Sequence, residues 1–207
     1  MNKAKSLNTR KLALLALLTA IVVVLQALAA VLPIYPFTLT LVLVPMVIGA
    51  ALVGTLAGGW LGLVFGLVVL LTGNANVFLA IDPLATILIV MIKGILAGLA
   101  AGIVYRSTAK ISKTAAAISA AVISPIVNTG IFAAGVYFIM IPSMRTAAMN
   151  MDPAFDWLRG LDLTSPAALI FIGFIGLNFF LELGINLVLS PTIVRLIQYG
   201  QDKRATE

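Results

Sequence analysis

The chain has 207 residues, of which 62% are hydrophobic and 10% charged, and its mean hydropathy is +1.17. A soluble domain carries about 45–50% apolar and about 25% charged residues, so this composition excludes a water-soluble globule and places nearly the whole chain in a bilayer. There is no cysteine and no histidine, which removes disulfides, thiolate nucleophiles, imidazole bases and the common zinc, haem and iron–sulfur ligand sets. The net charge of +6 does not point to nucleic acid, because the basic residues flank apolar runs, where membrane topology already accounts for them.

A spanning helix needs about 20 apolar residues, and on that scale the chain reads as one all-α membrane domain, a bundle of six transmembrane helices. The first is predicted at 11–32 and is closed by Pro33. Its apolar run exceeds the roughly 7–15 residues of a signal-peptide core; small residues at Ala27, Ala29 and Ala30 leave cleavage as the alternative. A short interfacial segment with Tyr35 and Phe37 follows. The next apolar stretch is too long for one span and too short for two full ones. Gly54, Gly58 and Gly59 lie in its middle, so it divides into helices 38–53 and 57–71, with Trp60 near an interface.

Residues 72–82 read as a polar loop. The fourth helix, 83–105, begins with Pro83, where a missing N–H costs nothing. A basic loop leads to helix 114–141, in which Pro125 predicts a kink near Ala121. The longest loop, 142–165, carries Arg145, Asp152, Asp156, Arg159 and Asp162, and helix 166–199 completes the set, with Pro191 bending its end. Lys3, Lys5, Arg10 and Lys11, the loop 106–113 and the tail residues Lys203 and Arg204 fall on one side. The positive-inside rule then puts both termini in the cytoplasm and the loops after helices one, three and five outside.

Two helices carry glycine stripes at four-residue spacing, Gly58, Gly62 and Gly66 on the third, and Gly94, Gly98 and Gly102 on the fourth. Lipid supplies no hydrophobic force between helices, so close packing relies on small residues; the stripes are expected to pack within the bundle. Ala16 and Ala20 form a weaker pair of the same kind on the first helix.

Against this apolar background stand Lys93 on the fourth helix and Glu182 on the sixth. A charge at the bilayer centre costs about 2.5–3.5 kcal/mol even on lenient scales, so such residues face a bundle interior or a wet cavity. Asn178, Glu182 and Asn186 are spaced by four and project from one helical face; Ser190 continues the stripe, and Asn128 and Thr129 add to it from the fifth helix. One reading is a structural Lys93–Glu182 ion pair with amide cross-links. The other is a ligand cavity, favoured by the density of hydrogen-bonding groups at one depth. Lys93 would then attract a carboxylate or phosphate, and the asparagines suit hydroxyls and amides, since each both donates and accepts. Asn76, Phe78, Phe155 and Trp157, with Tyr35 and Phe37, lie in the outer loops, either to close over a ligand or to anchor the interface.

No catalyst accompanies these groups. There is no P-loop, no paired buried carboxylates, no hydroxyl with a histidine base, and no evident inverted repeat of the secondary-transporter kind. What remains is a binding protein that lacks its own motor, with no cofactor and no metal.

The chain resembles the substrate-binding S components of energy-coupling factor (ECF) vitamin transporters over nearly its whole length. Ala16-x-x-x-Ala20 looks like the family's alanine motif, Leu41 to Ala50 and Gly58 to Gly66 look like its second and third helices, and Ser124-Pro-Ile-Val-Asn128-Thr-Gly130 resembles part of its fifth. The resemblance implies a multi-pass protein of the bacterial cytoplasmic membrane. It implies a vitamin pocket in the outer parts of helices four to six, and contact of Ala16 and Ala20 with a membrane coupling (T) subunit that works with two cytoplasmic ATPases. It also implies toppling in the membrane to release the vitamin inward. Among the pantothenate- and riboflavin-type members that look nearest, one lysine with several amides suits pantothenate; riboflavin would want aromatic stacking, for which Phe132, Tyr137, Phe179 and Phe180 are candidates. Two other classes compete. A small membrane enzyme acting on a lipid would need an acid cluster, and Asp152, Asp156 and Asp162 are the only one. A stand-alone carrier would move its ligand without an ATPase.

Overall fold

The computed structural model describes residues 9–31, 41–140 and 176–205, and among these the chain is helical with no strand. The elements are α1 (Thr9–Val31), α2 (Leu43–Leu52), α3 (Thr55–Leu71), α4 (Asn76–Ile81), α5 (Pro83–Thr108), α6 (Lys113–Gly135) and α7 (Gly176–Ala205), with a π turn at Val136–Met140 extending α6. Thr9–Val31, Pro83–Thr108 and Lys113–Met140 are long and apolar enough to cross a membrane, and Leu43–Leu52, Thr55–Leu71 and Phe179–Leu189 are shorter apolar helices. The molecule is an all-helical membrane bundle. The aromatic segment around Tyr35 and Phe37, the long loop with Phe155 and Trp157, and its acidic residues lie outside the described residues.

Local chemistry sets several boundaries. α2 begins at Leu43, later than the expected residue 38; residues 41 and 42 form a turn, and Pro45 sits in the first helical turn, where the N–H it lacks has no intrahelical acceptor. α2 and α3 separate at Gly54, whose φ of 144° and ψ of 171° lie in a region open essentially to glycine alone. α5 starts on an N-cap: Asp82 accepts from the Ala85 N–H at 3.0 Å, and Pro83 takes the first helical position. Ser112 does the same for α6, accepting from the Ala115 N–H at 3.3 Å. α6 continues as helix through Pro125, and α7 through position 191.

The predicted polar loop 72–82 is partly helical. Gly73, at φ 83°, turns the chain, the Asn76 N–H bonds to the Gly73 carbonyl at 3.0 Å, and α4 follows at once. The reason is visible in its residues: Phe78 and Ile81 are half-buried and pack on Ala85, Ile89, Val136 and Met140, a small second core at the head of α5.

The main core is built by backbone proximity. A Cβ placed on Gly58 would strike the carbonyl oxygen of Gly98, and one on Gly62 that of Gly94; the converse holds for Gly94 and Gly98. The two stripes therefore face each other across α3 and α5, and the helices touch main chain to main chain. α5 also packs on α6, whose Ala116, Ala117, Ala120 and Ala121 are fully buried together with Ala97 and Ala101 of α5. Such contact replaces the hydrophobic force that lipid cannot supply with van der Waals packing. α1 lies against α2 and α3, held in part by Trp60, whose indole N–H donates to the Thr19 hydroxyl at 3.2 Å.

Candidate substrate site

Four of the predicted site residues come together where α5 and α7 each pack on α6. Glu182 and Asn186 on α7 are each 1% exposed, and Asn128 on α6 is 3% exposed. Their four-residue spacing puts Glu182 and Asn186 on one face, and the Asn186 amide donates to the Glu182 carbonyl at 2.8 Å. The Asn128 amide reaches across from α6 to the Glu182 carboxylate in a long hydrogen bond of 3.5 Å.

Lys93 enters from α5. Its side chain is half-buried, and its ammonium lies 4.7 Å from the centre of the Phe132 ring and 5.6 Å from that of Phe65. A cation over an aromatic face is attracted by the ring quadrupole, the more so when water is excluded. Glu182 lies within Coulombic reach of the same ammonium. Phe132 is in turn met edge-on by Phe78 of α4, with ring centroids 5.4 Å apart. A continuous path of contacts thus runs from α4 through two aromatic rings to the lysine.

The site also contains groups that sequence reasoning passed over. Ser124 is wholly buried one turn before Asn128 on α6; the shared helical face was there to be read. Within the described part of the chain, the Ser124 hydroxyl and the Asn128 amide oxygen are buried and make no hydrogen bond. The orientation of the amide is set by Glu182, since a carboxylate accepts and must be met by the amide N–H. Phe65 had no local signal, because it reaches Lys93 from another helix. Away from this cluster, Gln26 of α1 is 2% exposed and its amide oxygen makes no hydrogen bond among the described residues; it was visible as the one amide in that helix.

Other candidates stand differently. Asn76 is exposed at the head of α4. Asn178 is on α7 one turn before Glu182, its backbone described and its side chain not; Trp157 lies outside the described residues. Ala16 and Ala20 are exposed on α1.

A family model described as the ECF transporter substrate-specific component matches residues 10–194. The chain belongs to this family. No curated protein and no solved structure matches it. As an ECF substrate-specific component the chain is the substrate-binding membrane subunit of a transporter and not an enzyme; it takes a small-molecule substrate and associates with a membrane T subunit and ATPases. Lys93, Asn128, Glu182 and Asn186 are polar groups gathered inside this otherwise apolar bundle.

Proposed function

We propose that this S component captures pantothenate from outside the cell, on a face formed by Lys93, Asn128, Asn178, Glu182 and Asn186. Trp157 and Asn76 close over the ligand from the adjoining segments. The observation that carries this reading is a single buried cluster holding one cation and two groups with unused hydrogen-bonding capacity, the Asn128 amide oxygen and the Ser124 hydroxyl. Pantothenate has one carboxylate for the ammonium, and an amide N–H and two hydroxyls for the acceptors. An unsatisfied buried polar group costs about 1–3 kcal/mol, so a ligand that bonds to these atoms recovers free energy that a purely apolar ligand cannot.

In this reading both termini are cytoplasmic and the protein resides in the bacterial cytoplasmic membrane. Ala16 and Ala20 form the contact with the T subunit, and the vitamin leaves inward when the ATPases act. A second reading is riboflavin. The rings of Phe65 and Phe132 beside Lys93, with Phe78 edge-on to Phe132, offer aromatic surface to a flat ring system.

Thermal unfolding of the purified chain against a panel of B vitamins separates the two. Stabilisation follows RT ln(1 + [L]/Kd), about 2.7 kcal/mol at a hundredfold excess over Kd. A large shift with pantothenate alone is the expected result. A shift with riboflavin alone moves the assignment to the second reading, and no shift with any vitamin overturns both.

A further inference from the structure

Away from the polar cluster, an apolar groove of about 740 Å³ opens between α1, α2 and α7. None of the candidate substrate residues whose side chains are described lines it. Its walls are branched aliphatic side chains, among them Leu17 and Ile21 of α1, Val44 of α2 and Leu189 of α7, and Arg10 and Tyr199 border it as well. Arg10 stands in the first turn of α1 and Tyr199 near the end of α7, so both polar groups mark the same end of the groove.

Three observations bear on the occupant. Along α1 the lining runs from Arg10 to Leu25, fifteen residues or about 22 Å at 1.5 Å per residue. That exceeds the roughly 15 Å of one leaflet of a 30 Å hydrocarbon core, so an acyl chain entering beside Arg10 fits lengthwise. The charge at the mouth is positive: exposed Arg195 is one turn before Tyr199 on the same face of α7, and Lys11 follows Arg10. A guanidinium matches a phosphate with two parallel hydrogen bonds, and a tyrosine hydroxyl at the membrane interface can join it. Finally, the four-spaced small pair that lets another helix pack closely, Ala16 and Ala20, is not among the lining residues; Ala13 is the one alanine there, set among leucines and isoleucines. Bulky aliphatic walls suit flexible acyl chains better than a close-packed helix.

We propose that this groove holds one anionic phospholipid, its acyl chain along α1 and its phosphate on Arg10 beside Tyr199. The site is independent of the vitamin assignment. The test is native mass spectrometry of the full chain released from nanodiscs made of equal parts phosphatidylglycerol and phosphatidylcholine. Wild type is expected to retain one phosphatidylglycerol in preference to phosphatidylcholine. Arg10→Gln should lower that retention at least about fivefold, and Leu17→Trp, which fills the groove and leaves the charge intact, should lower it as well. Size-exclusion elution and far-UV circular dichroism check that each variant is folded, and a variant that fails them is replaced by Tyr199→Phe or Ile21→Trp. Equal retention of the two lipids, no retained lipid, or phosphatidylglycerol retention unchanged by both folded variants overturns the proposal, the last assigning the lipid to non-specific annular contact.

Discussion

At the scale of single residues, Lys93 and Glu182 pose the central question, whether an ammonium and a carboxylate in a bilayer serve the fold or the ligand. The surroundings of Lys93 answer part of it. Two aromatic faces and a neighbouring acid offset part of the cost of desolvating the ammonium before any ligand arrives, and leave the rest for a bound anion to offset. Lys93→Ala is expected to weaken binding of an anionic vitamin by about 2 kcal/mol, the worth of a hydrogen bond to a charged group. That is about a thirtyfold rise in Kd at 1.4 kcal/mol per decade, measured by titration; an unchanged Kd makes the lysine structural. A second experiment separates the roles. Removing one member of a buried charge pair costs about 3–5 kcal/mol, whereas replacing both by neutral groups of similar volume is often nearly neutral. Lys93→Met should therefore lower Tm, and adding Glu182→Gln should restore most of it while leaving anionic ligand binding lost. Recovery of binding along with Tm would show that neither charge meets the vitamin.

At the scale of helices, the contact between α3 and α5 makes opposite predictions for glycines that look alike in sequence. A Cβ on Gly62 runs into the Gly94 carbonyl, backbone that cannot rotate away, whereas a Cβ on Gly130 meets nothing within 4 Å. Gly62→Ala is expected to lower Tm sharply by forcing the helices apart. Gly130→Ala should be neutral or stabilising by up to about 1 kcal/mol, the helix-propensity difference. Thermal unfolding of the two variants side by side checks this, and equal effects would contradict the packing. That each stripe packs within the bundle was legible, because four-residue spacing in an apolar helix has few other uses; that the two stripes face each other was not, since spacing alone names no partner helix. The α2–α3 break was legible for the same kind of reason, since Gly54 interrupts a run of the wrong length. α4 was not: Val77 to Ile81 is apolar, but beside Gly73, Asn74 and Asn76 the turn chemistry dominated the reading. In the site, Lys93, Glu182 and Asn186 were conspicuous as polar residues in apolar helices. Phe65 and Ser124 were not, because an aromatic residue and a serine are ordinary in a membrane helix until the fold brings them beside a charge.

At the scale of the whole molecule, an S component must keep two surfaces separate, one that holds the substrate and one that meets the T subunit. The polar cluster is formed by α5, α6 and α7, while Ala16 and Ala20 lie exposed on α1, which packs on α2 and α3. A bulky side chain on the exposed face of α1 therefore has no direct route to the cluster. Ala16→Trp should leave vitamin-induced thermal stabilisation unchanged and abolish uptake into vesicles that contain the T subunit and ATPases. Small residues allow another helix to approach closely, and an indole at Ala16 keeps it several ångströms away. Loss of both binding and uptake would mean that α1 shapes the substrate site after all. Intact uptake would move the T-subunit contact to another face of the bundle. The same vesicles without ATPases should bind the vitamin and accumulate none, because the chain has no P-loop or other energy-coupling motif of its own.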